Sequence, residues 1–183
     1  MRGIKIAIAE DNAADLLITR KFIEEYCHSR KIDISIDGFS TAVAYLDSKQ
    51  RYDAVFLDIE MPHMDGMELA AEIRKHDSRV VMVFVTNMAR YAVNGYRVGA
   101  IDYVLKPISA FDFSLTMDRV MGAIARVREE KSYTVKSRES VTTLSASDIR
   151  YIESLNHHLI FHTSFGEQEV YGYLKDVEIE LGD

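Results

Sequence analysis

The sequence predicts an α/β fold: a five-stranded, doubly wound parallel sheet over residues 1–125, a linker at 126–132, and a partial all-β domain at 133–183. Three observations lead there. Short apolar runs bounded by turn signals, the mark of strands buried on both faces, recur through the first two thirds of the chain. Segments of helical period separate them, which implies βαβ units with right-handed crossovers. After about residue 132 the pattern changes to brief β-type runs joined by turns, as in an antiparallel meander.

The first strand is Ile4–Ala9, which stops at the adjacent acids Glu10 and Asp11. Asn12 can cap a helix whose Ala14, Ile18, Phe22 and Tyr26 share one face, with Leu17 beside them. Ile32–Ile36 is a weakly alternating second strand, and Ser40–Ser48 a short helix with Val43 and Leu46 inward. The third strand, Ala54–Leu57, runs out at Asp58 and is followed by Ile59-Glu60-Met61-Pro62. Asp65-Gly66 then opens a helix with Leu69, Ala70 and Ile73 on its buried stripe. Val80–Val85 stops at Thr86, and Ile101–Leu105 stops at Lys106-Pro107. Between them, residues 87–99 are weakly amphipathic and form the least stable helix of the set, ending in a tight turn at Gly99-Ala100. Ser109 and Asp112 are spaced as a helix cap, and Phe113, Met117, Val120, Ile124 and Val127 continue as a core stripe.

All strand C-termini of a parallel sheet lie on one edge, so Glu10, Asp11, Asp58, Thr86 and Lys106 are expected to converge. The chemistry of such a group follows from its side chains. Clustered carboxylates repel, and a hard divalent cation relieves them; Mg2+ takes oxygen ligands and bridges carboxylates to phosphate. Asp58 can then act as a nucleophile towards phosphorus. Lys106 offers a compact positive charge, and Thr86 a rotatable hydroxyl donor.

Composition narrows the classes. The chain has 183 residues, 48% of them hydrophobic, enough for a full domain and a partial second one. Its net charge of −7 is uneven: residues 1–128 carry 17 Lys+Arg against 18 Asp+Glu, and residues 129–183 carry 5 against 11. That balance argues against bulk nucleic-acid affinity. Cys27 is the sole cysteine, which excludes an internal disulfide and suits a reducing compartment. No apolar run reaches the length of a membrane span, so a cytoplasmic protein is expected.

In the last third, Tyr133–Val135, Val141–Leu144, Tyr151–Ser154 and Leu159–Thr163 read as strands, with a hairpin turn at Phe165-Gly166-Glu167 into Glu169–Tyr173. His157, His158 and His162 invite a zinc reading, but no cysteine or obvious fourth ligand accompanies them. His162 is expected as a half-buried strand residue and His158 as a solvated loop residue.

Taken in order, Glu10-Asp11, Asp58, Thr86 and Lys106-Pro107, each at a strand end, resemble the flavodoxin-like receiver domain of two-component response regulators, over roughly residues 1–125. The resemblance implies that a sensor histidine kinase donates a phosphoryl group to Asp58. It implies Mg2+ on Asp11 and Asp58, with Glu10 acting through water and the Glu60 backbone carbonyl as a further ligand. Thr86 and Lys106 would contact phosphoryl oxygens, Tyr103 would swing inward as Thr86 moves, and a homodimer would form on phosphorylation. Residues 147–177 resemble the first half of a LytTR-type DNA-binding domain, which implies promoter DNA as a partner of the full-length protein. There His157 matches a family position that reaches base edges. Lys136, Arg138, Arg150 and Lys175 are few for phosphate contacts, so weak operator binding by these residues alone is expected. Two other readings compete: a receiver acting only through protein partners, and a haloacid-dehalogenase-like phosphatase. The latter needs a second Asp two residues after the nucleophile, where this sequence has Glu60. The chain is expected not to be an enzyme beyond self-catalysed phosphorylation and dephosphorylation.

Overall fold

The computed structural model describes residues 3–91, 98–129, 132–136, 141–163 and 165–181. The chain divides into two compact units, Met1–Lys75 with Val80–Ala125, and His76–Arg79 with Arg126–Asp183.

In the first unit, β1 (Ile4–Ala9), β2 (Ile34–Phe39), β3 (Ala54–Leu57), β4 (Val81–Thr86) and β5 (Asp102–Leu105) form one parallel sheet in the order β2-β1-β3-β4-β5. The strand order reverses between β1 and β3, which opens a crevice at their C-terminal ends. β3 and β4 are buried along their whole length, which is why their sequences are unbroken apolar runs. Their side chains alternate between two core layers. Ile6, Ile8, Phe56 and Val83 pack with Ile23 of α1 (Ala13–Ser29) and with Phe113, Met117, Val120 and Ile124 of α4 (Ala110–Glu129). Ala7, Val55, Leu57, Met82 and Phe84 pack with Ala42 and Tyr45 of α2 (Ala42–Asp47) and with Leu69, Ala70 and Ile73 of α3 (Gly66–His76).

The α4 stripe and its Ser109 cap are as the sequence predicts, the Asp112 N–H lying 3.4 Å from Ser109 Oγ. Two other helices are rotated from expectation. On α1 the buried residues are Thr19, Ile23, Tyr26 and Cys27, whereas Ala14, Leu17 and Ile18 are exposed and Phe22 is half-buried. The stripe is turned by one position because Tyr26 reaches α4, its hydroxyl donating to Asp118 Oδ1 at 2.5 Å, while Cys27 fills the core beside it. On α2, Leu46 packs inward as expected, but Val43 points to solvent and Ala42 and Tyr45 take the buried face. Thr41 caps that helix by accepting the Ala44 N–H at 3.1 Å, and Tyr45 joins an aromatic cluster with Phe39 and Tyr52. β2 lies two residues later than predicted, in the register that pairs Ile4 with Ile34. Of the segment 87–99, Ala89–Tyr91 form one 3₁₀ turn and Gly99, at φ +64°, closes the expected tight turn; residues 92–97 of that predicted helix lie outside the described residues.

In the second unit, β6 (Ser132–Lys136) and β7 (Val141–Ser145) pair antiparallel, and β8 (Ile149–Leu155), β9 (His158–Thr163) and β10 (Gly166–Tyr171) form a three-stranded antiparallel sheet. Leu144, Leu159, Phe161, Val170 and Val177 make its core. Val177 belongs to α5 (Leu174–Leu181), a helix that the strand-by-strand reading did not anticipate. Asn156 at φ 50° and His157 at φ 66° form the two-residue turn between β8 and β9, the left-handed pair that a tight hairpin requires. No helix among the described residues is long and apolar enough to cross a membrane.

Candidate functional site

Strand ends fix the site. The backbone ladder continues one residue past three strands: Glu10 N–H donates to the Phe39 carbonyl at 2.9 Å, Asp58 N–H to Ala9 at 2.9 Å, and Lys106 N–H to Thr86 at 3.0 Å. Each of these side chains therefore leaves a backbone already locked to its neighbour. Gly66, the first residue of α3, passes against the same edge. A Cβ built on it would lie 2.0 Å from the Asp58 carbonyl oxygen, so only glycine fits there.

The Lys106 ammonium is the meeting point. Its Nζ lies 2.7 Å from Glu10 Oε2, 2.7 Å from Asp15 Oδ2 and 2.8 Å from Asp58 Oδ2. An ammonium has three N–H donors, and all three are taken. The Lys106, Glu10 and Asp58 side chains are 8%, 3% and 5% exposed, so these charges are held away from water and depend on one another. Burial alone would lower the Lys106 pKa, but hydrogen bonds to Asp15, Asp58 and Glu10 outweigh it and hold the ammonium above the ordinary lysine range. Glu10 shows the opposite balance. Burial, joined by the Asp58 charge, pushes its carboxyl up to about 7 against the pull of Lys106 and of the Asn12 N–H.

Asp11 is exposed, and one oxygen each from Glu10, Asp11 and Asp58 lie within 4.8 Å of one another. This is an all-oxygen donor set carrying more negative charge than Lys106 neutralises, and it fits a hard divalent cation such as Mg2+. Glu60 follows in the loop with its side chain exposed, and its N–H donates to Asp58 Oδ1 at 3.2 Å. With Oδ2 on Lys106 and Oδ1 on Glu60, the Asp58 carboxylate has one orientation.

Thr86 is fully buried, and its Oγ accepts the Met88 N–H at 3.3 Å. The Tyr103 hydroxyl donates to the Met88 carbonyl, and its half-buried ring lies 5.9 Å from that of Phe84. Thr86 and Tyr103 thus hold Met88 from its two backbone groups. Burial, then the nearby Asp58 charge, raises the Tyr103 pKa. An open crevice of about 400 Å³ borders the cluster, lined by Asp15, Ile18, Asn87, Lys106, Pro107 and Ile108.

The sequence missed Asp15 and the steric role of Gly66. Asp15 is the third residue after the Asn12 cap, on a first turn of α1 that starts from the edge where the strand ends gather. In the second unit, His157 is exposed on its turn with its ring 4.8 Å from that of Tyr173. His158 belongs to β9 rather than to a loop, with Nδ1 3.1 Å from Glu169. His162 is half-buried as expected, stacked on Tyr151 at 4.1 Å between Glu153 and Glu167. Among the described residues, the acidic trio is the group able to hold a metal ion, and the histidines form no such group.

Residues 6–116 match the response regulator receiver domain family. The chain is 27% identical over 179 residues to the transcriptional regulatory protein NatR of Bacillus subtilis, covering 97% of this chain and 76% of NatR. It is 30% identical over 161 residues to the transcriptional regulatory protein BtsR of Escherichia coli, covering 86% of this chain and 61% of BtsR. The response regulatory domain of MrkE from Klebsiella pneumoniae superposes with a TM-score of 0.61 at 26% identity, over 67% of this chain and 99% of that one. TrrA of Thermotoga maritima, solved in complex with Mg2+-BeF, shares the fold with a TM-score of 0.53 at 24% identity, over 64% of this chain and 98% of that one.

Two outcomes test the site. Gly66→Ala is expected to cost about 3 kcal/mol in urea unfolding, because the clash is with backbone and cannot relax by a rotamer change; wild-type stability would refute the packing. The second concerns pH. Glu10 holds its proton more tightly folded, at about 7, than at its ordinary value of 4.5, so its contribution is present below 4.5 and lost as pH rises through about 7. In chelator, the urea midpoint should fall between pH 5 and 8, and Glu10→Gln should flatten that fall.

Proposed function

The chain belongs to the response regulator receiver family, and from that premise we propose that it accepts a phosphoryl group on Asp58 from a sensor histidine kinase and thereby controls transcription. One observation carries the reading: a buried lysine ammonium 2.8 Å from a buried Asp58 carboxylate, beside two further carboxylates at a sheet edge. In the transfer, an Asp58 oxygen forms the new O–P bond as the P–N bond of the donor phosphohistidine breaks, and the imidazole departs with that electron pair. Lys106 draws one Asp58 oxygen to itself and is placed to neutralise a phosphoryl oxygen. The Glu60 N–H fixes the other oxygen. Glu10 acting through water, Asp11, Asp58 and the Glu60 backbone carbonyl would hold Mg2+, which supplies positive charge against the carboxylates and the incoming phosphoryl group.

Thr86 keeps its hydroxyl proton free, since its Oγ is the acceptor from Met88, and that proton serves a phosphoryl oxygen. Moving Thr86 breaks its hold on Met88, the residue that also anchors the Tyr103 hydroxyl, so the two side chains form the switch. A homodimer on phosphorylation is the proposed readout. We assign residues 1–125 as the receiver, 126–132 as the linker and 133–183 to a LytTR-type DNA-binding region acting on promoter DNA, with His157 the candidate base contact. The exposed His157 on a tight hairpin turn supports that role. Receiver proteins of this family are regulators and not classical enzymes, which removes the phosphatase reading.

Incubation with a small acyl phosphate and Mg2+, followed by intact mass, should show one added phosphoryl group. Asp58→Asn or chelator should abolish it. A gain that survives Asp58→Asn, or no gain in the wild-type chain, would overturn the assignment.

A further inference from the structure

We propose that Asp15 is a positioning residue for phosphorylation, holding one N–H of Lys106 until an oxygen of the incoming phosphoryl group takes its place. The inference rests on the phosphoacceptor reading above.

Asp15 reaches Lys106 because it has no duty in capping α1. The third residue of a helix commonly turns back to the backbone N–H of the cap residue. Here that N–H, of Asn12, donates to Glu10 Oε1 at 3.1 Å. The Asn12 side chain in turn accepts from Ala14 at 2.9 Å and Asp15 at 3.2 Å. The cap is complete without the Asp15 carboxylate, which extends to Lys106 Nζ at 2.7 Å.

Donor counting then decides which contact yields. The ammonium has no spare N–H, so contacting a phosphoryl oxygen requires releasing one carboxylate. As the donor arrives Asp58 is still a carboxylate; Glu10 and Asp58 are 3% and 5% exposed, and releasing either would leave a buried carboxyl group without its partner. Asp15 is 31% exposed and lines the open crevice, where water can take over its oxygens. Asp15 is therefore the partner that gives way. No covalent bond is made or broken at Asp15, and one oxygen replaces another on the same ammonium. Its effect is to slow phosphorylation by occupying the ammonium.

The test uses the whole chain with a small acyl phosphate and Mg2+, reading the rate of phosphoryl gain on Asp58 by intact mass. Asp15→Asn and Asp15→Ser should each speed the gain by about two- to fivefold, the range of a partly exposed ion pair. Asp15→Glu, which keeps the charge, should stay near the wild-type rate. In a Lys106→Met background, Asp15→Asn should change nothing, because its effect runs through the ammonium. Thermal unfolding of each variant confirms that the compared chains are folded, and two substitutions guard against one that is not. A wild-type chain that is phosphorylated while both neutral variants match it or lag behind it would overturn this inference alone. A wild-type chain that gains no phosphoryl group would overturn the phosphoacceptor reading and this inference with it.

Discussion

A single ammonium joins three carboxylates that come from separate elements of the first unit. Without Lys106, Glu10 and Asp58 would be two buried like charges at the end of adjacent strands, which only a proton or another cation would relieve. The backbone does the placing. Because Asp58 bonds to Ala9, Glu10 to Phe39 and Lys106 to Thr86, the parallel register that pairs the strands also fixes where the side chains emerge. The apolar strands, the two core layers and the glycine under Asp58 all serve to hold that register still.

From there the arrangement leads outward in two directions. Towards the surface, Asp11 and Asp15 are the accessible members of the cluster, and they meet solvent where a cation and an anionic donor would arrive. Towards β4 and β5, Thr86 and Tyr103 hold Met88 from its two backbone groups. Burial leaves Glu10 reluctant to ionise, while hydrogen bonds to three carboxylates, working against burial, keep Lys106 charged.

Much of this was legible in the sequence, for a physical reason. Apolar strand runs have sharply marked ends, so the gathering of Glu10, Asp58 and Lys106 at one edge follows from where the strands stop. Thr86, the last residue of β4, bonds to Met88. Helix faces were less legible, since α1 carries apolar side chains nearly all round and the buried stripe was decided by the Tyr26 bond to Asp118, a partner 92 positions away. Asp15 was missed because a carboxylate in a first helical turn is ordinary, and only the tertiary structure reveals that the cap is already satisfied by Asn12 and Glu10. In the second unit, alternation announced the strands, while α5 went unseen because Leu174, Val177 and Leu181 are too short a stripe to stand out beside the preceding Tyr171-Gly172-Tyr173.

Lys106 shares Glu10 and Asp58 with the acidic trio whose oxygens fit a divalent cation, so the ammonium and such a cation would compete for the same carboxylates. Calorimetric titration of Mg2+ into Lys106→Met, beside the wild-type chain at the same ionic strength, measures this directly. The account predicts tighter Mg2+ binding in the variant, because a competing positive charge is gone. Affinity equal to or weaker than wild type would contradict it.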